Sequence, residues 1–219
     1  FYPMNNPLIL LSPSKGMSRN GGVTSKVSGL CAFPEITARV VRSIQELKPE
    51  AAKKLFKVSD ALWPEVAAMW SNDSESYTNP EVGLRGLGAY TGEAFKFLNT
   101  AELSPEGNSN AQQSLYILSA LYGVVSANMH IAPYRLEMQS RLEVDSHRNL
   151  YSLWRPILTQ WMNTLHAPFI IDACSGEYSK AIDWKNVKRP YVQVDFKQLK
   201  NDQIKSVSAF SKQARGAFV

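Results

Sequence analysis

Short runs of apolar residues and longer stretches with helical periodicity alternate along this chain. Continuous apolar runs that end at turn residues are typical of buried strands. The predicted strands cover residues 7–11, 115–121, 169–171, 191–196 and, with a weaker alternation, 204–209. Apolar residues three and four positions apart predict amphipathic helices. The predicted helices cover residues 34–47, 51–58, 91–98, 149–165 and 177–182, with a further one from Ser59 or Asp60 to 70 and a last one from 211 onward.

Polar and glycine-containing segments separate these elements. We expect loops or turns over residues 15–29, 71–88 and 104–110. Strands that alternate with helices, without an internal repeat or a linker, favour an α/β domain over a sandwich or a bundle. We therefore predict one domain over residues 1–219, α/β with some α+β character, in which helices flank a mixed β-sheet.

The composition excludes several classes of protein. The chain of 219 residues is 44% hydrophobic, which is typical of a globular protein. Cys31 and Cys174 are too few for a disulfide framework, so we expect a reducing compartment, the cytoplasm or an organelle interior. No apolar run approaches the length of a membrane helix and no secretory signal is visible, so we expect no membrane insertion.

The charges are segregated along the chain. Residues 15–59 carry nine Lys and Arg against three acids, and residues 180–219 again carry nine against three. Residues 60–179 between them carry six basic against thirteen acidic side chains. Two basic flanks that fold onto one face would attract a polyanion such as double-stranded DNA. Scattered, solvated lysines are the alternative interpretation.

Three predicted strands run directly into polar residues. Residues 8–11 lead into Ser12-Pro13-Ser14-Lys15, 116–121 into Tyr122-Gly123, and 169–171 into the polar segment 172–178. Ligands in open α/β sheets bind just beyond the carboxyl ends of strands. The three segments together therefore predict a shared site, although each alone could be an ordinary turn.

Two further segments carry groups that suit an anion. In Pro133-Tyr134-Arg135-Leu136-Glu137-Met138, the Arg135 guanidinium offers a fork for phosphate or carboxylate, and Glu137 can orient it or exchange a proton. Lys212 and Arg215 are three residues apart, so they share one face of a helix. A structural ion pair and a solvated helix surface are the corresponding alternatives.

Seven short motifs are distributed along the chain. They are Ser12-Pro13-Ser14-Lys15, Ala89-Tyr90-Thr91-Gly92, Leu118-Ser119-Ala120-Leu121-Tyr122-Gly123-Val124, Pro133-Tyr134-Arg135-Leu136-Glu137-Met138, Leu150-Tyr151 with Trp154, Ser175 with Glu177-Tyr178, and Lys212 with Ala214-Arg215-Gly216. Together they resemble the YaaA family of peroxide stress response proteins over nearly the whole chain. The resemblance implies resistance to hydrogen peroxide, control of free intracellular iron and DNA binding through a basic cleft with a helix-hairpin-helix-like element. No enzymatic reaction is attached to the family.

The resemblance and the strand-end argument select one set of cleft residues. They are Lys15, Tyr90, Tyr134, Arg135, Glu137, Ser175, Glu177, Tyr178, Lys212 and Arg215. Within this set Glu137 and Glu177 are the candidate catalytic groups. Neighbouring cations should keep both carboxylates ionised, which favours a base over an acid.

The sequence also departs from the family pattern. Leu87-Gly88-Ala89 replaces a family Gly-Asp before Tyr90, and residues 126–130 lack a family Arg-Pro and an Asp. Family members also extend beyond the segment that here reaches Val219. These losses leave room for a diverged member or a structural subunit of a larger assembly.

The helix-hairpin-helix candidate consists of residues 51–58 and 60–70. Lys53, Lys54 and Lys57 are its candidate nucleic-acid-binding residues. Such hairpins use glycines in the turn so that backbone N–H groups can approach a phosphate. The turn here has no glycine, so a plain packed helix pair is the alternative.

Other chemistries have weaker support. The three histidines, His130, His147 and His166, have no metal-ligand spacing with the cysteines, and no glycine-rich phosphate loop is present, so we expect no metal and no cofactor. We expect Cys174 to be a buried core residue rather than a reactive thiol. Three functions remain open: a nucleic-acid-binding stress protein, an enzyme for a small anionic or nucleobase-containing ligand, and a scaffold subunit.

Overall fold

A computed structural model describes residues 6–18, 29–78, 83–200, 203–205 and 207–219. The helices are α1 (Pro34–Gln45), α2 (Pro49–Phe56), α3 (Trp63–Ala68), α4 (Glu75–Thr78), α5 (Gly86–Ala89), α6 (Glu93–Leu98), α7 (Pro105–Ser114), α8 (Leu150–Thr164), α9 (Gly176–Ser179) and α10 (Ser208–Phe218). The strands are β1 (Leu8–Leu11), β2 (Leu84–Arg85), β3 (Leu115–Ser119), β4 (Gly123–Ser126), β5 (His130–Ile131), β6 (Ile170–Asp172), β7 (Tyr191–Gln193), β8 (Gln198–Lys200) and β9 (Gln203–Lys205).

The main sheet has five strands in the order β4-β3-β1-β6-β7. Strand β1 lies at its centre and pairs in parallel with β3 and β6, with Ile9 opposite Leu115 on one side and Ile171 on the other. Strand β7 continues the parallel set, whereas β4 returns antiparallel to β3. The predicted fold class, a mixed sheet flanked by helices, is confirmed.

The sheet has a topological switch point between β1 and β6. The chain leaves β1 toward its neighbour β3 and leaves β6 toward its neighbour β7, in opposite directions across the sheet. Open α/β sheets bind ligands in the crevice at such a point, outside the carboxyl ends of the strands. The loops after β1 and β6 therefore lie where the fold itself favours a site.

Helix α8 packs on the sheet through an apolar face. Trp154 is fully buried and its indole N–H donates to the Ala120 carbonyl over 2.8 Å. Asn149 caps the helix, because its side chain accepts the Ser152 N–H at 2.9 Å while Ser152 Oγ accepts the Asn149 N–H. The prediction of this helix from 149 to 165 is confirmed within one residue at each end.

Several predicted segments differ in the structure. The strand predicted over 204–209 is one of them, because β9 ends at Lys205 and α10 already begins at Ser208. Residues 104–110 were predicted to be a turn, but they begin helix α7, which Ser104 caps by accepting the Gly107 N–H at 3.0 Å. The prediction was wrong because residues 105–110 include several poor helix formers, so their pattern does not indicate a helix. The Ser104 cap and Pro105 nevertheless start one. Helix α3 begins at Trp63 after Leu62, so the predicted cap by Ser59 or Asp60 was also wrong.

The long loop predicted over 71–88 contains regular structure. Its described residues include α4, β2 and the start of α5, while 79–82 lie outside the described residues, as do 19–28 of the other predicted loop. These elements are too short for a periodic pattern to reveal. Among the described residues, no helix combines the length and the apolar character required to span a membrane.

Candidate functional site

Two serines connect the ends of β1 and β6. The Ser175 backbone N–H donates to Ser12 Oγ over 2.7 Å, and the Ser12 hydroxyl donates to Ser175 Oγ over 3.2 Å. Ser12 directly follows β1, and Ser175 is the residue before α9. The hydrogen bonds therefore hold the two loops side by side at the switch point.

The loop after β1 is also attached to the start of α6. Ser14 Oγ accepts the Gly92 N–H at 3.0 Å and donates to the Gly16 carbonyl at 2.6 Å. A Cβ at Gly92 would lie 2.4 Å from the Ser14 Cβ, so only glycine permits this approach. The polar turn that follows β1 thereby gains a fixed shape.

Helix α10 docks on α6 through a backbone contact. A Cβ at Gly216 would lie 1.8 Å from the Ala94 carbonyl oxygen and 2.7 Å from its carbonyl carbon. Gln213 adds a hydrogen bond from its amide to Glu93 Oε2 at 3.1 Å. This docking brings Lys212 and Arg215 to the loops at the sheet edge.

These elements enclose a cavity of about 400 Å³, here called the cleft. The predicted site residues that line the cleft are Lys15, Tyr134, Arg135, Glu137, Ser175, Glu177, Tyr178, Lys212 and Arg215. The other lining residues are Ser12, Pro13, Ser14, Gly16, Gly92, Glu93, Ala94 and Leu136. Four cationic and three carboxylate side chains therefore face one space, although they come from five separate segments of the chain.

Tyr90, the remaining predicted cleft residue, lies behind the cleft instead of lining it. It is buried, and its hydroxyl is 3.0 Å from the hydroxyl of Tyr134, which is itself 2.8 Å from Ser119 Oγ. Burial raises the pKa of Tyr90 well above its ordinary value. The Tyr90 ring packs against the Phe95 ring, with 5.0 Å between the two ring centroids, and this apolar contact holds it in the core.

The two cleft arginines have unsatisfied hydrogen-bonding capacity. The Nε atoms of Arg135 and Arg215 are buried and have no hydrogen-bond partner among the described residues. Arg215 lies over the Phe196 ring, with Cζ 5.4 Å from the centroid, and its burial lowers the pKa of the guanidinium. A buried N–H without an acceptor costs about 1–3 kcal/mol, so both side chains favour a ligand that supplies one.

Glu137 forms the ion pair of the cleft. Its Oε1 lies 2.5 Å from Lys15 Nζ, and its Oε2 accepts the Gln139 side-chain amide at 3.0 Å. Burial alone would raise its pKa, but the hydrogen bonds from Lys15 and Gln139 and the charges of Lys15 and Lys57 outweigh burial and lower it. Glu137 is therefore a stable carboxylate, in agreement with the expectation of an ionised group.

Glu177 has the opposite environment. Burial raises its pKa most. The Gln139 N–H lowers the pKa and the Glu137 carboxylate raises it again, so that burial and Glu137 together outweigh Gln139, Lys15 and Met138. Its Oε1 accepts that N–H at 3.2 Å. This shift is opposite to the one expected from neighbouring cations, because among the described residues no cation pairs with Glu177 directly.

A second cavity of about 600 Å³, here called the α3 groove, adjoins the cleft. Lys15, Gly16, Tyr134 and Arg135 line both spaces. The other residues of the groove are Met17, Ser18, Leu62, Glu65, Val66, Ala68, Met69, Asn72, Ala132 and Pro133. The cleft and the α3 groove are therefore neighbouring cavities, and Arg135 is one of the four residues that line both.

The lysines of the predicted hairpin lie on α2 and in the turn after it. Lys53 is paired with Asp60 at 2.6 Å, and its Nζ is 5.9 Å from the centre of the Trp63 ring. Lys54 is exposed, and Lys57 adopts the left-handed conformation, with φ 51°, that glycine would ordinarily supply. Neither Lys53, Lys54 nor Lys57 lines the cleft or the α3 groove.

Cys174 and Asp172 support the site from beneath. Burial raises the pKa of the Cys174 thiol well above its ordinary value, with a further contribution from Asp172. Asp172 accepts the Cys174 N–H at 3.0 Å and the Ser179 hydroxyl at 2.5 Å. In the described parts of the chain, no three His, Cys, Asp or Glu side chains are grouped to hold a metal ion.

Sequence reasoning gave no role to Gly92, Glu93 or Gly216, which shape the cleft through contacts between α6 and α10. The strings Thr91-Gly92 and Arg215-Gly216 were visible as motifs, but the reason for each glycine is a long-range contact. Only the folded structure brings these two segments together.

The fold and the cleft define a mixed-sheet α/β protein with a polar cavity at the switch point of its sheet. The family described as "Peroxide stress protein YaaA" matches residues 8–219. Similar proteins are the UPF0246 proteins of Shewanella pealeana, 33% identical over 97% of this chain and 84% of the relative, and Shewanella loihica, 32% identical over 97% and 83%. A UPF0246 protein of Delftia acidovorans is 32% identical over 95% of this chain and 82% of its own length. The chain therefore belongs to the YaaA family of peroxide stress proteins.

Proposed function

We propose that this protein acts in the peroxide stress response by binding double-stranded DNA, or another polyanion, through the cleft and the α3 groove. In this proposal the cleft is a basic site that binds backbone phosphates. The protein binds DNA under conditions in which peroxide and free iron damage that DNA. The observation that carries the proposal is the pair of guanidinium groups, Arg135 and Arg215, whose buried Nε atoms have no acceptor among the described residues.

The charges of the cleft support this choice of ligand. Lys15 is neutralised by Glu137, whereas Arg135, Arg215 and Lys212 have no salt bridge within the described residues. Phosphate oxygens accept hydrogen bonds from guanidinium groups in a matching fork geometry. An unpaired set of cations at the end of a sheet therefore favours an anionic ligand over a neutral one.

The arrangement of the two cavities supports a ligand longer than one phosphate. Arg135 and Lys15 line both the cleft and the α3 groove, so a chain of phosphates can pass from one space to the other. Lys57 lines neither space, but its charge contributes to lowering the pKa of Glu137 in the cleft. Among the hairpin lysines, we therefore assign Lys57 a supporting electrostatic role. Lys53 is paired with Asp60, so we assign it no role in binding.

The test uses fluorescence anisotropy with a labelled duplex of random sequence. Arg135→Gln and Arg215→Gln should each weaken binding by about 10-fold, because each removes one charge-assisted contact of about 1.5 kcal/mol. Arg148→Gln removes an exposed arginine that does not line the cleft and should change affinity less than about 2-fold. Equal effects from all three substitutions would refute the cleft as the binding surface.

Catalysis on a small anionic ligand is the second candidate function, and the environment of Glu177 favours it. Its pKa is raised by burial while that of Glu137 beside it is lowered, and such a divided pair is typical of acid–base sites. Structural ion-pair networks also perturb pKa values. If short phosphate compounds compete for the cleft as effectively as long duplexes at equal phosphate concentration, the enzyme hypothesis gains and the polyanion hypothesis fails.

A further inference from the structure

The α3 groove shares part of its wall with the cleft that it adjoins. Its walls combine apolar side chains with the polar groups of Ser18, Glu65 and Asn72, and they come from α3, the loop after β1 and the segment before Tyr134. Leu62, Met69 and Met17 are partly exposed in it, and Pro133 is exposed. Arg135 and Lys15 supply its only positive charges among the described lining residues. A ligand that fills both spaces therefore needs an anionic group joined to a group that has both apolar and polar surface.

We propose that the α3 groove is a nucleobase subsite, so that Arg135 holds the phosphate of a nucleotide whose base lies against Met69 and Pro133. This proposal rests on the proposed function, since it takes the cleft to be a phosphate site. It adds a ligand class, the nucleotide unit, which is either free or part of a nucleic acid strand.

Size and polarity select a base over other apolar groups. The two cavities, of about 400 and 600 Å³, lie in the range of sites for small organic ligands, about 300–1,000 Å³. Methionine sulfur atoms make favourable contacts with aromatic rings, and Met17 and Met69 both line the groove. Asn72, at an exposed position, can hydrogen-bond the edge of a base.

The test measures the binding of inorganic phosphate, ribose 5-phosphate and adenosine 5′-monophosphate by calorimetry. All three should bind the cleft, and Arg135→Gln should weaken all three. Adenosine 5′-monophosphate should bind on the order of tenfold more tightly than ribose 5-phosphate, which corresponds to the lower end of the values for stacking one base. Equal affinity of these two ligands would overturn the subsite and leave the phosphate site intact.

Two substitutions separate the groove from the cleft. Ala68→Leu adds a branched side chain at an exposed lining position, and Met69→Gln removes the thioether while keeping the side-chain length. Each should reduce the advantage of adenosine 5′-monophosphate over ribose 5-phosphate to about 3-fold or less, with ribose 5-phosphate unchanged. Ala51→Leu, at an exposed position on α2 outside both cavities, is the control. An advantage that persists in both groove variants would overturn the proposal.

Binding of a single-stranded oligonucleotide by the same variants distinguishes a base in a nucleic acid strand from the base of a free nucleotide. If the base belongs to a strand, Ala68→Leu also weakens binding of a single-stranded oligonucleotide, and if it belongs to a free nucleotide, only the monophosphate is affected. Both results support the subsite. Failure of all three small ligands to bind, with duplex binding intact, would overturn the subsite alone, whereas loss of duplex binding as well would overturn the proposed function.

Discussion

Replacing Gly216 by alanine is the sharpest perturbation of the cleft that avoids its charged residues. The new Cβ would lie 1.8 Å from the Ala94 carbonyl oxygen, where ordinary contacts begin at 3.4 Å. The obstacle is the backbone of α6, which cannot rotate away as a side chain can. Helix α10 must therefore move away from α6 and take Lys212 and Arg215 with it.

The magnitude follows from two opposing effects. Overpacking costs about 1–3 kcal/mol, and the upper end applies because the clash is with backbone. Alanine recovers about 1 kcal/mol of helix propensity relative to glycine. We expect a net loss of about 2 kcal/mol in the free energy of unfolding, or about 4–8 °C in Tm for a chain of this size.

Thermal unfolding followed by circular dichroism measures this loss. Gly88→Ala, in α5, is the matched control because a Cβ there meets nothing within 4 Å, and its Tm should stay unchanged or rise slightly. Gly216→Ala should also weaken phosphate binding because Arg215 is displaced. A Tm at or above that of the wild type would refute the backbone contact between α10 and α6.

Three further predictions concern single side chains. Glu137→Gln removes a carboxylate whose pKa is lowered by Lys15 and Gln139 against its burial. Its stabilisation is present above the ordinary pKa of 4.5 and is lost as the pH falls through the lower folded pKa. The variant should lose about 1–4 °C in Tm at pH 7, and its difference from the wild type should shrink as the pH falls through that range. Ser104→Ala removes the cap of α7 and should cost about 1 kcal/mol in urea unfolding, whereas Ser109→Ala within the same helix should be near neutral. In a Cys31→Ser background, Cys174 should resist a disulfide reagent at about pH 8 until the protein unfolds, because burial raises its pKa; rapid labelling of the folded protein would contradict this.

The elements with strong patterns were predictable from sequence. Strand β1 is an apolar run closed by Ser12-Pro13, and α8 repeats its apolar residues at helical spacing, so burial dictates both. Strand β4 was missed because it has four residues and forms a hairpin with β3. Gly123 at its start has φ 72° and its missing Cβ leaves room for the Trp154 ring, a contact that no local pattern encodes.

The proximity of most cleft residues was predictable from the sequence, but the burial and the pKa shift of each group were not. Strand ends in an α/β sheet meet at one edge, which accounts for the proximity of Lys15 after β1 and Glu177 after β6. Arg135 reaches the cleft from the segment after β5, which belongs to a separate two-stranded sheet. Tyr90 was assigned to the cleft by its motif, yet it is buried behind Tyr134, because an aromatic ring with apolar neighbours favours the core. The opposite pKa shifts of Glu137 and Glu177 depend on which one receives the Lys15 ammonium, and sequence does not specify that pairing.

The most direct test of the central claim is the salt dependence of duplex DNA binding in the wild type and in the double variant Arg135→Gln, Arg215→Gln. Phosphate contacts release condensed counterions, so three unpaired cations in the cleft predict a log–log slope of about −2.7 and a loss of about 40-fold between about 50 and 200 mM salt. The double variant should lose about two units of that slope, one for each phosphate contact removed. A slope that is the same in both proteins, or no binding at low salt, would contradict the cleft as a phosphate-binding surface.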